Sequence, residues 1–187
     1  MSKQTHAYVA LLRGINVGGK NKVPMAELRS ALADRECSEV RTYIQSGNVV
    51  LRSSLDAAEL SEMIEQTVEQ QFGIAVPVVV RTAATWSGYL VRNPFPAESA
   101  EDGGRVLLVL STEAPAKTAA SELTEAATQG ERVEQVGDAL WIHYANGVGR
   151  SKLTPALLDR RIGSPATARN WRTVMQLGEM LDETTSP

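Results

Sequence analysis

The chain has 187 residues, 43% hydrophobic and 22% charged, with a formal net charge of −3; this is the balance of one large folded domain, or of two small halves sharing a core, that buries roughly 70% of the surface its unfolded chain exposes. A single cysteine, Cys37, and two histidines, His6 and His143, exclude an internal disulfide and a thiolate metal cluster, so neither metal nor cofactor is expected. No apolar run approaches about 18 residues and the first residues lack a signal-like apolar stretch, which predicts a cytoplasmic protein off the membrane.

Residues 7–12 are apolar and few, the pattern of a buried strand. A glycine-rich stretch, Arg13 to Lys22, follows. Pro24 then pre-sets a first helical turn, and Met25, Leu28 and Leu32 form its apolar stripe. Residues 40–45 read as a strand, Ser46-Gly47-Asn48 as a hairpin turn and residues 49–51 as the returning strand. Asp56 is a helix N-cap, after which Leu60, Met63, Ile64, Val68 and Phe72 share a face. Glu59, Glu62, Glu65 and Glu69 make the solvated side, Gly73 ends the helix, and residues 76–80 are a strand. This β-α-β-β-α-β order is the ferredoxin-like split unit, closing near Arg81.

Residues 82–92 read as a short helix with Trp86, Tyr89 and Leu90 inward. Asn93-Pro94-Phe95-Pro96 breaks it, and residues 98–104 read as a polar loop. A strand over 106–110, a helix over 115–129 and a hairpin of 132–136 with 139–144 around Gly137-Asp138 come next. Residues 153–162 are helical, and Ser164-Pro165 is expected to open a last helix reaching about Leu181. The second half thus repeats the first with a helix in place of its sixth strand. The predicted fold class is α+β, two ferredoxin-like halves (1–81 and 82–187) arising by structural duplication, the second ending in an extra C-terminal helix.

Charge is uneven along this order. Residues 1–52 carry eight Lys/Arg against four Asp/Glu, residues 53–137 five against thirteen, and six bases crowd into 150–172. The first basic concentration is the loop Arg13-Gly14-Ile15-Asn16-Val17-Gly18-Gly19-Lys20-Asn21-Lys22, whose glycines free the backbone for close approach to a ligand, in a strand-to-helix position that suits phosphate or carboxylate. It nearly spells a Walker A motif, Gly14-x-x-x-x-Gly19-Lys20, but Asn21 stands where a hydroxyl must ligand magnesium and no strand ends in the metal-binding Asp, so a nucleotide hydrolase is rejected. A plain glycine turn without a ligand is the competing reading. Asn146-Gly147-Val148-Gly149-Arg150-Ser151-Lys152 repeats the grammar of glycine, amide and base. Thr167 to Thr173 adds a third polar cluster in which Arg169 and Thr173, four apart, would share a helix face; the rival reading there is a solvated face.

Other chemistries fare worse. An RNA-recognition module needs aromatics on its central strands, and only Tyr8 and Tyr43 are near. Ser151 and Lys152 are adjacent, so in extended chain they point apart and make a poor dyad. Acid-base candidates reduce to Lys20, Tyr43 and Lys152.

Tyr8-Val9-Ala10-Leu11-Leu12-Arg13-Gly14-Ile15-Asn16-Val17-Gly18-Gly19, Thr42-Tyr43-Ile44-Gln45-Ser46-Gly47-Asn48-Val49-Val50, Asn93-Pro94-Phe95, Gly149-Arg150-Ser151-Lys152-Leu153 and Thr167-Ala168-Arg169-Asn170-Trp171-Arg172-Thr173 resemble the bacterial domain-of-unknown-function family numbered 1697 over nearly the whole chain. The resemblance implies an α+β fold of two ferredoxin-like subdomains and brings no activity, substrate or cofactor. Arg172 stands where that family often shows Asn or another polar residue.

The expected function is binding of an anionic, phosphate-bearing ligand, either a small molecule or a nucleic-acid backbone read without sequence specificity. The expected contacts are Arg13, Gly14, Asn16, Gly18, Gly19, Lys20, Gln45, Asn48, Arg150, Ser151, Lys152, Arg169, Asn170 and Thr173. The alternative is an enzyme acting on a phosphorylated or carboxylated metabolite with Lys20 or Lys152 as electrostatic catalyst. A ligand-free interaction protein is the third class.

Overall fold

The structure, a computed structural model, describes residues 4–185. It divides into two compact units, one running to Gly88 and resuming from Gln176, the other Tyr89–Met175.

In the first unit the chain forms β1 (His6–Leu12), α1 (Met25–Ala33), β2 (Cys37–Tyr43), β3 (Asn48–Ser53), α2 (Ala57–Phe72) and β4 (Val78–Thr82), then enters α3 (Ala83–Val91). The sheet order is β2-β3-β1-β4 and every pairing is antiparallel. Period-two alternation puts Tyr8, Ala10 and Leu12 of β1 into one cluster with Leu28 and Leu32 of α1 and Leu60, Ile64 and Val68 of α2. The helices form where their stripes meet this face. Asp56 closes a full capping box with Glu59, and Gly73 ends α2 in the left-handed region at φ 68°. Cys37 opens β2 as a buried packing residue, its thiol pushed up to about 11 by burial and by Glu36. On the other side of the sheet Val9, Leu11 and Val50 are also buried.

The second unit takes the chain through α4 (Pro96–Asp102), β5 (Val106–Ser111), α5 (Ala119–Ala126), β6 (Glu131–Val136), β7 (Ala139–Tyr144), a 3₁₀ turn at Val148–Arg150, α6 (Pro155–Ile162), β8 (Ala166–Asn170) and α7 (Trp171–Thr185). From Gln176 α7 belongs to the first unit, where Arg41 bonds the Glu183 carboxylate at 2.6 Å, the Met180 carbonyl and the Thr184 hydroxyl. The sheet order is β6-β7-β5-β8, which maps strand for strand on that of the first unit. Val109, Leu140, Ile142 and Tyr144 pack with Leu123, Leu158 and Ile162 into the second core.

Three expectations are corrected. Ser164-Pro165 does not open the last helix: residues 166–170 are β8, paired to β5 from Ser111↔Ala166 to Leu107↔Asn170, so the sixth strand is present and the helix starts only at Trp171. The polar loop after Pro96 is the helix α4, with Pro96 at its first turn and its buried Ser99 bonded by Asn93 Nδ2 at 2.8 Å. The helix expected over 115–129 is shortened to Ala119–Ala126.

Candidate functional site

Antiparallel pairing decides where the loops go. β1 and β2 both run opposite to β3, so both leave the sheet at the end where β3 begins. The loop after β1 and the turn Ile44-Gln45-Ser46-Gly47 therefore share one end of the first sheet. One backbone bond seals the join, Leu12 N–H to the Gly47 carbonyl (2.8 Å), and Arg13 N–H bonds the Pro77 carbonyl just before β4 (3.0 Å). Gly47 is required there. At φ 79° a Cβ would lie 2.8 Å from Leu12 Cβ and 2.9 Å from Ile15 Cδ1, against two buried core side chains.

The glycine loop is a built object. Val17 and Lys20 form an antiparallel bridge with Lys20 N–H donating to the Val17 carbonyl at 3.0 Å. Gly18 (φ 57°) and Gly19 (φ 76°) make the turn between them, and two positive φ values in succession are the type I′ hairpin tip that glycines supply at no steric cost. Asn16 holds the base of this tip. Its Nδ2 donates to the Val23 carbonyl (2.9 Å) and the Gln45 carbonyl (2.7 Å), and its Oδ1 accepts from Val23 N–H (2.9 Å). Asn21 Nδ2 donates to the Gly14 carbonyl at 3.0 Å. Asn16 and Asn21 both occupy the left-handed region, at φ 55° and 49°. Of the expected contacts, then, Asn16 spends its amide on the loop itself, and buried Asn48 donates to the Tyr43 carbonyl and Ser46 Oγ. Lys20 and Lys22 are exposed, and among the described residues neither side chain has a hydrogen-bond or ion-pair partner. Arg13 is half-buried, and Gly14, Gly18 and Gly19 border open space.

In the second unit β7 and β8 both run opposite to β5, so the Asn146–Lys152 segment and the start of α7 leave that sheet at one end. Asn146 Nδ2 bonds the Gln129 carbonyl (2.8 Å), and Gly147, at φ 83°, starts the 3₁₀ turn. Ser151 is committed. Its hydroxyl bonds the buried Glu131 carboxylate and accepts Leu153 N–H at 3.1 Å. Burial pushes the Glu131 carboxyl up, yet hydrogen bonds from Ser151 and from backbone N–H groups, that of Gln129 at 2.7 Å among them, outweigh it and hold it below the usual range. Arg150 and Lys152 stand exposed and, among the described residues, have no side-chain partner.

The third cluster resolves differently from the expectation. Arg169 does not share a helix face with Thr173, because Arg169 lies in β8, buried, bonding Thr167 Oγ1 (2.6 Å) and the Ala168 carbonyl (2.9 Å). Burial pulls its guanidinium down to about 10. Asn170 Oδ1 accepts Thr173 N–H at 3.0 Å and so acts as the cap of α7, with the Thr173 side chain buried. Arg172 pairs with Asp102 at 2.7 Å.

Sequence reasoning missed Val17 and Ile44, aliphatic residues 63% and 53% exposed at the same end of the first sheet. Ile44 sits at φ 47°; the only sequence signal was an isoleucine abutting a hairpin turn. His143 is half-buried in β7, near Phe95 (ring centroids 6.0 Å apart), with Arg132 stacked over Phe95 and paired to Glu98. Burial and Arg132 lower the His143 pKa, which fits a packed histidine fastening α4 to the sheet. Among the described residues no three His, Cys, Asp or Glu side chains are placed to hold a metal ion, and no helix is long and apolar enough to cross a membrane.

The fold is similar to that of the conserved bacterial protein SP0830 from Streptococcus pneumoniae, with a TM-score of 0.73 at 27% identity over 95% of this chain and 99% of that one. No protein of curated function matches. The profile described as "Protein of unknown function (DUF1697)" matches residues 5–141. With that profile covering most of its length, and both halves built on the strand order its motifs implied, the chain belongs to the DUF1697 family.

Proposed function

We propose that this protein binds an anionic, phosphate-bearing ligand through the glycine loop of its first unit, with Lys20 and Lys22 as the charged contacts. The observation that carries this reading is the division of labour among the cations. Arg41, Arg105, Arg132, Arg161 and Arg172 each pair with a carboxylate. Lys20 and Lys22 have no such partner among the described residues, although their loop is held rigidly by Asn16 and Asn21. Residues kept in sparsely populated backbone regions persist where the surroundings over-determine them, and such positions concentrate at binding sites. A preformed loop loses little freedom on binding, so the charge it presents is delivered at low entropic cost. Arg150 and Lys152 give the second unit a surface of the same chemistry.

Binding is favoured over catalysis because Lys20 and Lys152 are exposed, whereas electrostatic catalysis draws its strength from a water-excluded site. The test is calorimetric titration with pyrophosphate at low ionic strength. A hydrogen bond to a charged group is worth about 1.5–3 kcal/mol, so Lys20→Ala or Lys22→Ala should weaken binding about 10–100-fold. Duplex nucleic acid in the same assay should show log K falling with log salt at about −0.9 per phosphate contacted, and less steeply in each variant. Absence of pyrophosphate binding at millimolar concentration, or equal affinity in the Lys20→Ala/Lys22→Ala double variant, refutes the proposal.

A further inference from the structure

Ile44 is a β-branched residue in the left-handed region (φ 47°), a conformation in which glycine or asparagine would sit without strain. Core packing does not account for it, since the residue is 53% exposed. Val17, 63% exposed, flanks the Gly18-Gly19 tip, and the hydrogen bond from Asn16 Nδ2 to the Gln45 carbonyl joins the chain neighbours of the two residues at 2.7 Å. Strain at one position and solvent exposure at both run against stability, while Lys20 faces Val17 across the bridge and Lys22 follows two residues later. The end of the first sheet therefore presents aliphatic and cationic chemistry side by side on a fixed backbone.

Resting on the anion-binding reading above, we propose that the ligand is a nucleoside phosphate, free or within a single strand, whose base lies against Val17 and Ile44 while Lys20 and Lys22 take the phosphate. Size selects this class. Two aliphatic side chains offer on the order of 100–200 Å² of apolar contact, using the usual conversion between burial and transfer energy. A stable protein partner needs about 800 Å² per side, whereas the flat face of one base needs far less. A bare phosphate ester would leave both side chains in water.

The test compares AMP, ADP and a short single-stranded oligonucleotide with pyrophosphate and ribose 5-phosphate, using wild type, Ile44→Asn, Val17→Ser and Lys20→Ala. The readout is the ratio of AMP to ribose 5-phosphate affinity, in which the charge is common and only the base differs. That ratio should exceed about 10 in wild type, fall about fivefold in Ile44→Asn and in Val17→Ser, and stay unchanged in Lys20→Ala, where both affinities drop together. Ile44→Asn should also raise the thermal midpoint by relieving the left-handed strain, so a failure to fold is not the expected cause of lost binding. Tighter binding of the oligonucleotide than of AMP assigns the site to a strand, and equal binding assigns it to a free nucleotide. A ratio near one in wild type, or one that Ile44→Asn and Val17→Ser leave unaltered, overturns the base contact while leaving anion binding standing. Absence of binding by every phosphate compound overturns both.

Discussion

Replacement of Asn16 by alanine probes the loop more directly than replacement of any cation. The side chain makes three hydrogen bonds, to both backbone groups of Val23 and to the Gln45 carbonyl. Val23 is buried at 1% exposure, so its N–H and C=O would lose their partner where water reaches poorly, at about 1–1.5 kcal/mol each. The bond to exposed Gln45 is replaceable by water and contributes a few tenths. Alanine at φ 55° adds about 1 kcal/mol, because asparagine tolerates the left-handed region and alanine does not. The total is about 3–4 kcal/mol, of which local loop opening absorbs any part not coupled to the core. Urea unfolding should show the midpoint shift at constant m-value, and hydrogen exchange should show the Val23 amide losing protection first. Pyrophosphate affinity should fall with it even though no charge has been removed. If Asn16→Ala lowers the unfolding free energy by less than about 0.5 kcal/mol and Val23 remains protected, the loop is held by something other than Asn16.

Gly47→Ala should destabilise by about 2–4 kcal/mol in urea unfolding, the sum of a positive φ and a clash with Leu12 and Ile15; a neutral result would mean that the turn relaxes freely away from β1. Asp56→Ala removes the N-cap of α2 and should cost about 1 kcal/mol by the same measurement, with Glu59→Ala costing less. Glu131 titrates lower in the folded protein than the ordinary 4.5, so the stability it contributes is complete above that value and is lost as pH falls through its depressed folded value. In Glu131→Gln this part of the acid limb of a stability–pH curve should vanish, and an unchanged limb would show that the Ser151 hydrogen bond is not coupled to folding.

Local pattern determined much of this protein. A short apolar run placed β5, alternation placed β6 and β7, the Pro24 start and the Leu28/Leu32 stripe placed α1, and the turns at Gly47 and Gly137-Asp138 placed both hairpins, because in each case the signal lies within a few residues of the structure it specifies. The split β-α-β-β-α-β order of the first half followed, whereas the order of the second sheet, which needs β8 at its edge, did not. β8 was misread because Ser164-Pro165 carries a helix-start signal, while the strand state of residues 166–170 comes from pairing with β5 more than fifty residues earlier. The same distance separates a polar residue from its use. Asn16 and Ser151 look alike as ligand donors in the sequence, yet the Gln45 carbonyl, 29 residues on, and the Glu131 carboxylate, 20 residues back, make them staples. Arg172 looks like a free base until Asp102 meets it across 70 residues. Lys20 and Lys22, like Arg150 and Lys152, meet no side-chain partner among the described residues. Sequence supplies the charges and the glycines; which charges are paired within the fold is decided by long-range contacts.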